Sequence, residues 1–126
     1  MTDTTLESLI GPGAMHQYKM ATEDEQYRIR AWAQQLPNLT DRAFRDLCID
    51  VVTAGAISES QRLTAEEPYV KASACIFEAK RRHRAAGHVD SCEGDNLYQE
   101  GYNEAGRRFG LSVGEPRACT CGHGEG

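Results

Sequence analysis

The sequence lacks any apolar run approaching 18 residues, which excludes a transmembrane helix of ordinary length. It lacks period-2 alternation of strand length, so nothing in it asks for a sheet. It has no internal repeat, which excludes solenoids and propellers. No Gly-rich phosphate loop, H-E-x-x-H or G-x-S-x-G occurs, and the Glu-x-x-His spacing of di-iron bundles is absent. Lysine is scarce, at three against eleven arginines, a bias too general to mark a binding site. The start, MTDTTLESLIGPG, has neither a basic n-region nor a long apolar h-region, so a cytoplasmic protein is expected.

What is present is ordinary in bulk. The 126 residues fit one domain on the prior of about 100–200 residues each. A chain of this size buries roughly two-thirds of its unfolded surface, so it does not need staples to fold. The net charge of −5 argues against general coating of nucleic acid. Five cysteines, an odd number, make a disulfide framework a poor fit.

The apolar periodicity predicts an all-α protein, a small bundle of about four main helices. Residues 1–20 read as a flexible N-terminal arm, because Gly11-Pro12-Gly13 punctuates its one apolar turn. The bundle domain is expected over 21–111. Its first helix opens on the capping box Thr22-Glu23-Asp24-Glu25 and ends before Pro37, with Ile29, Trp32, Ala33 and Leu36 as the buried stripe. The second starts at Thr40, with Leu39 and Phe44 spaced as a hydrophobic staple, and is expected to stop near Ala54-Gly55. A break near 64–67 precedes a third helix striped by Tyr69, Ala72, Ile76, Ala79 and His83, with Val70 and Phe77 widening it and Gly87 as its stop. The fourth is capped by Asp95 or Ser91, shows Tyr98, Gly101, Tyr102, Ala105 and Phe109 on one face, and leaves through Gly110-Leu111. Residues 112–126 form an irregular Gly/Cys-rich tail.

Three features could carry chemistry. The tail reads Cys119-Thr120-Cys121-Gly122-His123, a dense set of soft donors. Zinc needs four donors in a tetrahedron, usually from two separated segments. His83, His88 and Cys92 follow the third helix, and an antiparallel fourth helix would return the tail to that turn. A zinc site drawing on Cys92 or His88 with Cys119, Cys121 and His123 is therefore within reach. The simpler reading is a reduced, mobile tail; a Cys119–Cys121 disulfide would be strained. His83 lies on the apolar stripe, where a hydrogen-bonded core histidine is commoner than a ligand. Cys48 and Cys75 read as small core hydrophobes.

The second feature is Lys80-Arg81-Arg82-His83-Arg84. Residues 61–87 carry six basic and three acidic groups, while 1–27 and 88–126 are each −4. Such a run can meet phosphates or an acidic partner; more simply, cations suit a helix C-terminus. The third feature is the aromatic edge of Tyr98 and Tyr102 interleaved with Gly101. A glycine inside a helix costs about 1 kcal/mol against alanine, which close approach of another helix would offset.

Together these point to a small non-enzymatic binding or regulatory protein. It would act through a helical protein–protein interface or self-association, with Tyr98, Tyr102, Lys80, Arg81, Arg82 and Arg84 as contacts. An accessory protein of phage or mobile-element type fits this description. The alternative is a zinc-stabilised nucleic-acid-binding module using the basic end of the third helix. A metal- or cysteine-dependent enzyme is the weaker one.

Overall fold

A computed structural model describes residues 2–60, 66–89, 92–111 and 113–120, without the side chains of 57–60. Among these residues the chain forms a small all-α bundle and no strand. Its helices are α1 (Asp3–Ile10), α2 (Pro12–Met20), α3 (Glu23–Gln35), α4 (Asp41–Ser60), α5 (Glu66–Ala85) and α6 (Leu97–Arg108), with a 3-10 turn over Leu36–Asn38. No helix is long and apolar enough to cross a membrane among the described residues.

The N-terminal arm is not loose, and this corrects the expectation for residues 1–20. Leu6 and Ile10 of α1 and Ala14, Met15 and Tyr18 of α2 are buried in the core. Gly11-Pro12 does break the chain, but proline at the first helical position starts the next helix, since its missing N–H is not needed there. Ser73 Oγ of α5 donates to the Ile10 carbonyl at 2.7 Å and so fixes the end of α1.

Helix α3 starts as its sequence demands. Thr22 Oγ1 accepts from the Glu25 amide at 3.2 Å, and the Glu25 carboxylate reaches back to the Thr22 amide at 3.4 Å. Ile29, Ala33 and Leu36 are fully buried. Thr40 likewise caps α4 through the Ala43 amide at 3.1 Å. Helix α4 does not stop at Gly55 but runs to Ser60. A mid-helix glycine costs only about 1 kcal/mol, and nothing at that position imposes a left-handed turn. Residues 61–65, where part of the break was expected, lie outside the described residues. Pro68 falls in the first turn of α5, where no N–H is required.

Helix α5 is the axis of the fold, packed against α1, α2, α3, α4 and α6. Its buried residues are Val70, Ala74, Cys75, Glu78 and Ala79, so of the expected stripe Ala79 and the flanking Val70 are buried while Ala72, Ile76 and His83 are half-buried. Tyr69 and Phe77 are exposed. A helix covered on several sides has no single apolar stripe, so the periodicity marked only part of the buried surface and placed Tyr69 and Phe77 on it wrongly.

Helix α6 packs chiefly on α4, through its small residues. Gly101 and Ala105 are buried, whereas Tyr102 and Phe109 are exposed. A Cβ at Gly101 would stand 2.8 Å from Cys48 Cβ and 3.2 Å from the Arg45 carbonyl oxygen. The glycine lets the two backbones touch. Gly101→Ala is therefore expected to destabilise the fold by about 1–3 kcal/mol in urea denaturation, since the crowding outweighs the gain in helix propensity. Gly55→Ala, whose Cβ would meet nothing within 4 Å, is expected to be neutral or stabilising. Equal effects at the two positions would refute this account of α6.

Candidate metal centre

Helix α5 ends in a turn that builds the site. The His88 amide donates to the His83 carbonyl at 3.1 Å and the Gly87 amide to the Arg84 carbonyl at 2.9 Å. These are the two bonds of a Schellman motif, with Gly87 at φ 101° in the left-handed position. The motif folds the chain back so that the residues at its two ends, His83 and His88, become neighbours. Their rings stack with centroids 4.0 Å apart and planes 9° from parallel. Four residues later the chain delivers Cys92. One ligand atom from each of His83, His88 and Cys92 lies within 4.8 Å of the others.

The second segment arrives from the tail. Asp95 and Arg117 pair in both directions: the Asp95 amide donates to the Arg117 carbonyl at 3.1 Å, and the Arg117 amide donates to Asp95 Oδ2 at 3.1 Å. The Glu93 amide donates to Thr120 Oγ1 at 2.8 Å. Between these contacts Cys119 is held beside the turn. His88 Nδ1 lies 3.1 Å from Cys119 Sγ and 3.6 Å from Cys92 Sγ, and the two sulfurs are 3.5 Å apart.

Electrostatics favour the thiolate. Hydrogen bonds from the Gly94 backbone, and then from Thr120, hold the Cys92 thiol down at about 5 against the cost of burial. In the core the opposite holds: the hydrogen bond with Cys48, followed by burial, pushes the Cys75 thiol far up. Cys48 and Cys75 are free and buried, as small hydrophobes should be.

The donors suit a soft divalent ion. His83 Nε2 is buried with no hydrogen-bond partner among the described residues. Such an atom normally costs about 1–3 kcal/mol, and a metal would offset that cost. Imidazole and thiolate together select zinc or a similar ion over magnesium or calcium. A metal lies in the plane of each imidazole that binds it. The stacked rings thus require one of them to turn about its soft terminal torsion before both hold one ion.

The structure brings together Cys92, His88 and Cys119 from the sequence-derived set and adds His83. Cys121 and His123 lie outside the described residues. The sequence places His83 beside His88 and Cys92 but favours a core histidine; the Schellman turn stacks its ring on that of His88 and brings it into the cluster. The α6 cap is Asn96, in a capping box with Gln99, rather than Asp95 or Ser91. Asp95 is free to hold Arg117 instead, and Ser91 lies outside the described residues.

The basic run divides between core and surface. Arg81 donates to the carbonyls of Ser8 at 2.8 Å and Leu9 at 3.5 Å. Arg82 donates to those of Leu36 at 2.9 Å and Leu39 at 2.7 Å. Lys80 lies over the Phe77 ring. Lys80 and Arg84, with Arg117, line a depression of about 390 Å³ beside His83 and Cys92. Tyr98 packs partly against the core, its ring 6.4 Å from that of Tyr102, which is 55% exposed. No protein-family model, curated protein or solved structure matches this chain.

Proposed function

We propose that this chain is a small, non-enzymatic binding protein, stabilised by a zinc ion on the His83–His88–Cys92 cluster, that presents a helical surface to a protein partner. The convergence of these three side chains at the end of α5 is the observation that supports it. A metal there ties the α5–α6 connection to the bundle and steadies the entry to α6. Helix α6 is seated on α4 by Gly101 and Ala105, and its outer edge offers Tyr102, with Phe109 and Leu111 at its exit. Exposed aromatic residues on a rigid helix are the usual material of protein-binding surfaces.

The nucleic-acid reading is less favoured by the same geometry. Two cations of the run, Arg81 and Arg82, are spent on internal carbonyls, which removes half of its phosphate-binding capacity. Native mass spectrometry with and without chelator tests the metal, and one zinc per chain is the expected result. An unchanged apo mass at equimolar zinc would refute it. Titration with DNA and RNA across salt is expected to show no appreciable binding; a steep salt slope would favour the nucleic-acid module instead.

A further inference from the structure

We propose that Cys119 is the fourth protein ligand, so that His83, His88, Cys92 and Cys119 form a closed tetrahedral site in which the metal fastens residues 113–120 to the helical body. This rests on the metal reading above and deepens it. A three-ligand site keeps an open position, as catalytic zinc does, whereas four protein ligands make the ion structural.

Distances carry the first part of the case. With Zn–S of about 2.3 Å and Zn–N of about 2.0–2.1 Å, a tetrahedron sets S···S at about 3.8 Å and S···N at about 3.6 Å. The Cys92–Cys119 sulfurs are 3.5 Å apart, and His88 Nδ1 is 3.6 Å and 3.1 Å from them. These three of the six edges lie within about half an ångström of the tetrahedral values; His83 offers a nitrogen within 4.8 Å of the ligand atoms of His88 and Cys92, and the turn of one imidazole about its terminal torsion completes the set.

The second part is that the register of the tail is set by contacts other than the sulfur. Arg117 is paired with Asp95 on one side of Cys119, and Thr120 with Glu93 on the other. Between them the tail crosses Gly94 so closely that a Cβ there would stand 2.9 Å from Cys119 Cα. Only glycine admits that approach, and it is the approach that delivers the Cys119 side chain to the cluster. The third part is the shell around the sulfurs. The Glu93 amide, next in the chain to Cys92, donates to the Thr120 hydroxyl, next to Cys119, so a hydrogen bond joins the two sulfur-bearing segments directly beside the ligands, the kind of outer contact that orients a metal thiolate. Two thiolates also neutralise a divalent ion, which lowers the cost of holding it in a partly buried position.

Cys121 and His123 are the rival fourth ligands. Cobalt(II) replaces zinc as a coloured probe, and the full chain is titrated with it anaerobically. Wild type is expected to give the intense visible bands of a tetrahedral site and charge transfer from two thiolates. Cys119→Ser is expected to lose about half of the charge-transfer intensity and to bind zinc at least about 100-fold more weakly. Cys121→Ser and His123→Ala are expected to match wild type. Tryptic cleavage after Arg117 gives a local readout: zinc should protect that bond in wild type and not in Cys119→Ser. Metal binding by Cys119→Ser that equals wild type, or a loss that follows Cys121 or His123, overturns the closed site while leaving the three-ligand metal standing. Absence of any cobalt or zinc binding to wild type overturns both.

Discussion

Zinc added to the metal-free protein is expected to raise its unfolding midpoint by on the order of 10–20 °C, the largest ligand effect this fold should show. The size follows from linkage. A ligand that binds only the folded chain stabilises it by about 4.1 kcal/mol when present at 1,000 times its dissociation constant. The unfolded chain cannot reproduce the site, because its donors come from an α5 terminus and from a tail some thirty residues later. His88→Ala should abolish most of the shift, since His88 Nδ1 is the donor that meets both sulfurs. Magnesium should produce no shift, because it prefers oxygen donors and a nearly ideal octahedron. Calorimetry in chelator, in zinc and in magnesium makes the comparison. A zinc shift no larger than that of magnesium would remove the metal from the account of this protein.

Where the sequence was legible, the signal was local. Thr22 and Glu25 are three residues apart, and their reciprocal bonds need no other part of the chain. Gly87 announced the end of α5 because a left-handed cap is a property of one residue and its neighbours. Gly101 signalled a close helix contact, since an uncompensated glycine in a helix is otherwise a loss. The misses were non-local. Gly11-Pro12-Gly13 marks a break, but whether what precedes a break is loose depends on what covers it, and Leu6 and Ile10 are covered by distant helices. The face of α5 was only partly legible: Val70 and Ala79 are buried as expected, but Tyr69 and Phe77 are exposed and Ala74 is buried, because a central helix is covered on more than one side. The meeting of Cys92 with Cys119 was foreseeable as a possibility of topology. Its register was not, because Asp95 and Arg117, which set it, are indistinguishable in sequence from other surface charges. Glu78 was not singled out at all, although Arg81 and Arg82 at three and four residues beyond it are the spacing of helix ion pairs.

Glu78→Ala is expected to cost about 3–5 kcal/mol, a large share of the roughly 5–15 kcal/mol that holds a domain together. Among the described residues Glu78 is the buried charged one, only 4% exposed, and it accepts from Arg81 Nε at 3.1 Å and Arg82 Nε at 3.0 Å. Through those two arginines it reaches three other elements. Arg81 caps the carbonyls of Ser8 and Leu9 at the end of α1. Arg82 caps those of Leu36 and Leu39 around the 3-10 turn, meets Asp41 at the start of α4 at 2.7 Å, and lies over the Phe44 ring. Removing the carboxylate leaves Arg82, whose side chain is 14% exposed, without its buried counter-charge and with only the solvent-exposed Asp41 to balance it. Breaking one partner of such a pair costs far more than the pair's net contribution, because the survivor's desolvation is no longer offset. The contrast lies on α6, where Glu104 pairs with Arg107 at 2.9 Å on an exposed face. Glu104→Ala should cost no more than about 1 kcal/mol, as exposed pairs do. Guanidinium denaturation of the two variants measures the difference. Equal and small losses would mean that the Glu78 cluster is only another surface ion pair. A large loss at Glu78 alone would establish that the basic end of α5 serves first to lock the N-terminal helices onto the bundle.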